Sequence, residues 1–157
     1  MISQGVKSTE QCGACGGVLV RDSGQFVHGG RLWWGSEGRC RACGHGWCEE
    51  DTGGPTPEPL RRALLAKHGA ARVRTAVPLT GRVGLLRALR EHRGLSLAEA
   101  RSAADELASN GLTGTLVETE LLAAALRRHG VEAVVEPAEP VPGASSGGSS
   151  GQDSAGR

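Results

Sequence analysis

The chain has no tyrosine, one phenylalanine and three tryptophans among its 157 residues, and all four rings lie before residue 48. Everything after that point must build its core from aliphatic side chains, so the two parts of the chain carry different kinds of core. No stretch approaches the apolar run that a membrane-spanning helix needs. The opening Met1–Lys7 lacks the apolar region of a secretory leader. These absences predict a soluble protein of a reducing, cytoplasmic compartment, with no membrane partner. Nucleophile–base constellations and Gly-rich phosphate loops in a strand–helix setting are missing too. Ser96 is explained as a helix cap, and His68, His92 and His129 fall near predicted helix C-termini, where they complement the dipole. The sequence therefore predicts neither an enzyme nor a small-molecule substrate. Residues 1–54 hold five basic and six acidic side chains, without the net positive charge that gains from counterion release on nucleic acid.

What is present is cysteine in a pattern. Cys12-Gly-Ala-Cys15 and Cys40-Arg-Ala-Cys43 are two CxxC pairs, each followed by glycine, at Gly16 and Gly44, and separated by 24 residues. A CxxC turn aims two thiolates at one point, and two such turns close a tetrahedron around Zn²⁺. A closed Cys₄ shell leaves no open coordination position, so such a metal builds a fold rather than performing chemistry. Two disulfides fit less well, because the fifth cysteine, Cys48, would be left over. A thiol-redox role also fits less well, since those enzymes present one CxxC at a strand–helix junction. His45 and Cys48 follow the second pair closely, and Cys48 stands either as a replacement ligand or as a free thiol packed beside Trp47; the identical spacing favours Cys12, Cys15, Cys40 and Cys43.

Composition divides the chain. Residues 1–11 read as a polar lead. Residues 12–48 hold every cysteine and every aromatic ring, and the order CxxCG, short strands, CxxCG, aromatic resembles a zinc ribbon. Within it, Gly17–Arg21 reads as a strand, Asp22-Ser23-Gly24 as the turn after it, and Phe26-Val27 and Leu32-Trp33-Trp34 as further strand material around Gly29-Gly30. A segment this small needs a metal staple. The Trp33-Trp34 pair reads as core, with an exposed interaction anchor as the other reading. Residues 49–59 are acidic and then Pro-rich, an extended linker. Residues 137–157 run into a Gly/Ser stretch and read as a disordered tail.

Residues 60–136 form the second unit. A short helix over 60–68 ends at Gly69; a strand follows over 72–77. A helix opens at Thr80-Gly81 and stops at Gly94. Ser96-Leu-Ala-Glu99 is a capping box for the next helix, which ends at Asn110-Gly111. Thr115–Val117 reads as a strand, 119–129 as a helix closed by Gly130, and 131–135 as a final strand. After the first helix the order is β-α-α-β-α-β, so the chain is expected to be an α+β protein: a small β ribbon followed by helices layered on a second sheet.

That order, with Arg82-Val-Gly-Leu-Leu-Arg-Ala-Leu-Arg90 and Gly94-Leu-Ser-Leu-Ala-Glu-Ala-Arg101, resembles the C-terminal domain of the bacterial ribosomal stalk protein L7/L12. The family pattern is similar to K-V-x-V-I-K-x-V-R followed by G-L-G-L-K-E-A-K. In that family the domain recruits translational GTPases through the two helices around the G-L-G-L turn. Carried over by position, the resemblance implies a partner surface of Arg82, Val83, Leu85, Leu86, Arg87, Arg90, Leu97 and Arg101. Ser96 and Ala98 depart from the pattern, and a cysteine module stands where stalk proteins carry a dimerising helical segment. The resemblance therefore implies a fusion that reuses the domain as a binding head for a translational GTPase or ribosome-associated factor.

Charge points to the same region. Residues 61–101 contain ten Arg or Lys and two Glu, a net of +8, whereas 102–136 contain two Arg and six acids, a net of −4. A cationic surface suits an acidic protein partner or, alternatively, the phosphates of nucleic acid. A merely solvated Arg-rich surface is the plain reading of the same count.

Overall fold

The computed structural model describes residues 2–52, 54–75 and 82–139. The N-terminal part is a four-stranded antiparallel meander in the order β1 (Ser3–Gln11), β2 (Val18–His28), β3 (Arg31–Cys40), β4 (Gly46–Thr52). Residues 3–11, read from composition as a lead, pair along their full length with β2, from Ser3 opposite Phe26 to Gln11 opposite Val18. Their polar sequence shows no alternation because neither face of this edge strand is well buried. Its register is set instead by the tight turn at Cys12–Gly17. The expected turn at Asp22-Ser23-Gly24 lies inside β2. Ser23 points inward and hydrogen-bonds Ser36 of the neighbouring strand. Gly24 is small because the β1 backbone runs close: a Cβ there would stand 3.1 Å from the Gln4 carbonyl. The true turn is Gly29-Gly30, both with positive φ (58° and 73°), as a two-residue hairpin requires. Residues 49–52, three acids and Thr52, read as the start of a linker, continue β4.

Helix α1 (Glu58–His68) begins two residues before the expected start and ends at Gly69, whose φ is 77°. Its buried face, Leu60 and Leu64, packs on Trp34 and Val6. The helix assigned by sequence to the second unit thus shares its apolar core with the first sheet. Trp34 is core, as expected.

The second sheet is antiparallel in the order β6-β5-β7, from β5 (Ala71–Thr75), β6 (Leu112–Gly114) and β7 (Ala133–Pro137). Helices α3 (Leu97–Ser109) and α4 (Leu116–Arg128) pack against it, and α2 (Arg82–Arg93) packs on those two helices. The core is aliphatic: Val73, Leu85, Leu89, Leu107, Leu122 and Leu126, with Ala100, Ala104 and Ala123 letting the helices approach. Gly84 serves the same purpose, since a Cβ there would lie 2.6 Å from the His129 carbonyl. The Ser96/Glu99 capping box forms, and Gly94, Gly111 and Gly130 take positive φ at the helix ends. Thr115–Val117, read as a strand, instead opens α4: Thr115 is its N-cap, in a capping box with Glu118. The last strand lies two residues later than read and reaches Pro137, whose successor Ala138 donates to the Ala70 carbonyl. The element order β-α-α-β-α-β is observed over β5 to β7. The expected helix opening at Thr80-Gly81 and the tail from residue 140 lie outside the described residues.

The first sheet meets the start of α4 at a polar seam. Gln25, fully buried on β2, donates from Nε2 to Thr56 Oγ1 (2.7 Å) and Glu118 Oε1 (3.3 Å), and its Oε1 accepts from Thr115 Oγ1 (2.5 Å). Arg61 of α1 grips Glu118 through Nε (2.9 Å) and Nη2 (3.1 Å). The Leu116 N–H, one of the orphan donors at the start of α4, reaches Gln4 Oε1 at 3.0 Å.

Candidate metal centre

Both CxxC segments are strand-to-strand turns at the same end of the meander, one between β1 and β2 and one between β3 and β4. They fold alike. Gly16 N–H donates to the Cys12 carbonyl (2.8 Å) and Gly44 N–H to the Cys40 carbonyl (3.2 Å). Cys12 N–H reaches Gly17 O and Cys40 N–H reaches His45 O, each at 2.8 Å. Gly16 and Gly44 have φ of 74° and 73°. The glycine after each pair is thus demanded by the left-handed backbone that turns the chain back under its own sulfurs.

The four sulfurs converge to within 4.8 Å of one another. Across the two turns, Cys12 Sγ stands 3.9 Å from Cys43 Sγ, and Cys15 Sγ 3.5 Å from Cys40 Sγ. Four thiolates at the zinc–sulfur length of about 2.3 Å in a tetrahedron stand about 3.8 Å apart, so the spacing fits one Zn²⁺. A disulfide needs about 2.05 Å, and neither CxxC stands at a strand–helix junction. Backbone amides aim at the sulfurs as thiolates require: Gly17 N–H to Cys15 (3.3 Å) and Ala42 N–H to Cys40 (3.4 Å). Gly17 leaves room for this. A Cβ there would lie 2.9 Å from Ala42 Cβ and 3.2 Å from Cys15 Sγ.

The proton affinities of the cluster are split. The Cys43 backbone N–H, with Ala42 N–H and the adjoining thiols, brings Cys40 down to about 6 against the opposing effect of burial. At Cys15 the Gly17 N–H pulls downward, but the thiols of Cys43 and Cys40, together with burial, outweigh it and push the group up to about 12. A divalent cation held by the four sulfurs would take the place of their protons. Cys12 and Cys40 are buried, while Cys15 and Cys43 are exposed. Leu19 and Trp47 cover the inner side. Trp47 lies across Gly38, where a Cβ would strike the indole at 2.5 Å, and Arg21 stacks on its ring at 4.6 Å.

Cys48 is outside the cluster. It sits on β4 opposite Glu37, so the alternative ligand set through Cys48 or His45 does not form; the strand carries Cys48 away from the turn.

The surface implied by the stalk-protein resemblance is on α2 and α3. Arg87, Arg90 and Arg101 are exposed, and Val83 (68%) and Leu97 (44%) are large apolar side chains left open to solvent. Leu86 is half-buried against the core. Leu85 is fully buried and belongs to the aliphatic core, so its side chain is not part of any surface; the helix turns it inward. Arg82 is tied to Asp105 at 2.6 Å. The Gln25–Glu118–Arg61 seam escaped sequence reading, and its one legible signal was the Thr115-x-x-Glu118 box.

Searches of protein-family models, curated proteins and solved structures find no match to this chain.

Proposed function

We propose that the protein is a non-enzymatic, zinc-binding adaptor of the reducing cytoplasm, in which the Cys₄ site fixes the N-terminal sheet and the α2–α3 surface binds a protein partner. The observation that carries this reading is the pairing of exposed apolar and cationic groups on one helix hairpin. Val83 and Leu97 stand open, and Arg87, Arg90 and Arg101 have no carboxylate partner among the described residues. Apolar contact with a guanidinium rim is the chemistry of a protein interface. The sequence resemblance to the stalk-protein domain is the reason to name a translational GTPase or ribosome-associated factor as the partner. A phosphate-binding reading is less well supported. Of the ten basic residues in 61–101, Arg61, Arg62, Arg74 and Arg82 are paired with acids, and the ten are spread over α1, β5, α2 and α3.

The test is capture of a purified translational GTPase by the full zinc-loaded chain and by the Arg87→Glu/Arg90→Glu variant, each with its thermal melt. Charge reversal should weaken capture by at least about tenfold, since a like charge brought against the partner costs more than a lost exposed pair. The melt should not change, because these side chains are solvated. Undiminished capture with an unchanged melt sinks the reading.

A further inference from the structure

On the opposite side of the molecule from the cysteine cluster, the Gly29–Gly30 hairpin tip, residues 54–55 and the C-terminal ends of α2 and α4 enclose a cleft of about 830 Å³. Three guanidiniums line it from three separate elements: Arg31 from the start of β3, Arg93 from the end of α2, Arg128 from the end of α4. None forms a salt bridge among the described residues. The acids that line the cleft are already engaged, Glu91 with His129 at 2.9 Å and Glu118 with Arg61. Arg128 Nη1 reaches the hairpin and would lie 3.6 Å from a Cβ on Gly30, the residue before Arg31. His92 is held below its ordinary value by burial and then by the charges of Arg93 and Arg128. Arg93 and Arg128 also complement the helix ends they stand on, but Arg31 sits on a strand and has no such duty. Leu32, Leu121 and Ala125 add apolar contact to a lining that is otherwise largely polar.

We propose that this cleft binds a phosphate ester carried on an organic body, such as a nucleotide. Fork-shaped guanidiniums from three directions match the oxygens of a phosphoryl group. The apolar contacts of Leu32, Leu121 and Ala125 and the volume of the cleft suit the attached body.

The test is calorimetric titration of the full zinc-loaded chain with ADP and, separately, with inorganic phosphate. ADP should bind at one site and about tenfold more tightly than phosphate, since only ADP reaches the apolar lining residues as well as the guanidiniums. Arg93→Gln/Arg128→Gln should weaken ADP binding by about tenfold or more. Arg31→Gln alone should also weaken it, and its place on an exposed hairpin keeps the test valid if the double variant fails to fold. Arg62→Gln, on α1 and outside the cleft, should leave ADP binding unchanged. Absence of ADP binding, equal affinity for phosphate and ADP, or a loss with Arg62→Gln equal to that with Arg31→Gln would each overturn the site.

Discussion

The two sheets are held together by different physics. In the second, three helices bury a continuous aliphatic core from Val73 to Leu126, and each helix brings its own apolar face. In the first, the cysteine end buries little beyond Leu19 and the two inner cysteines, with Trp47 leaning on them. A meander of this size cannot assemble an adequate core from such parts. Four sulfurs drawn to one point supply locally what the helical layer obtains from many small contacts. The comparison teaches that the fold is divided by the source of its stability and not only by position in the chain. Helix α1 crosses that division, because its leucines pack on Trp34.

The sharpest way to break this contrast is to disable the cysteine cluster. Structural zinc contributes on the order of 10 kcal/mol in small domains. Cys40→Ser, or chelation of the wild type, should collapse amide dispersion for residues 3–52 and for α1 while signals from residues 82–137 persist. Heteronuclear NMR with and without chelator measures this. Simultaneous loss of both sets would show that the seam welds the sheets into one cooperative unit.

The converse experiment acts on the aliphatic side. Leu122, which is 1% exposed, changed to Ala should cost about 2–5 kcal/mol through the cavity left behind. Zinc stoichiometry should remain at one per chain. A drop in metal content measured by elemental analysis would erase the distinction between the two sources of stability.

The smallest effect is expected at the seam between them. Burial raises the Glu118 carboxyl, but the Arg61 guanidinium, the Thr115 N–H and Gln25 more than offset it and hold the group below its ordinary 4.5. A depressed carboxylate contributes stability that is present above its unfolded value and lost as pH falls through its folded one. Acid titration of the wild type should therefore lose part of its stability below about pH 4.5. Glu118→Gln should remove that part of the pH dependence and cost about 1–3 kcal/mol at pH 7. Denaturant melts at pH 7 and pH 4 decide it; an identical pH slope in both proteins refutes the assignment.

Those two kinds of organisation also explain what sequence made legible. The CxxCG turns, the Ser96 box and the helix-ending glycines are local devices, with all their partners within a few residues. They appear where their spacing puts them. Strand β1 was hidden because an edge strand with two polar faces has no period to detect. The start of α4 was misread because Thr115-Leu-Val looks like a strand by β-branching, whereas the threonine-to-glutamate spacing of a capping box was the stronger sign. Gln25 could not have been found at all. Its burial depends on Thr56, Thr115 and Glu118, which reach it only after both sheets are formed.

Each cysteine turn offers one sheltered and one outward sulfur, and this asymmetry sets the sequence of events when the cluster is attacked. A chelator or an electrophile meets Cys15 and Cys43 first, while Cys12 and Cys40 lie 2% exposed beneath them. Because the sheltered pair comes from opposite turns, a half-stripped ion would still bridge them. The meander should therefore stay closed until the last two bonds go, giving metal release a lag that a symmetric site would lack. Timed alkylation read by mass spectrometry should label Cys15 and Cys43 before Cys12 and Cys40, and uniform labelling of all four would remove the lag and its cause together.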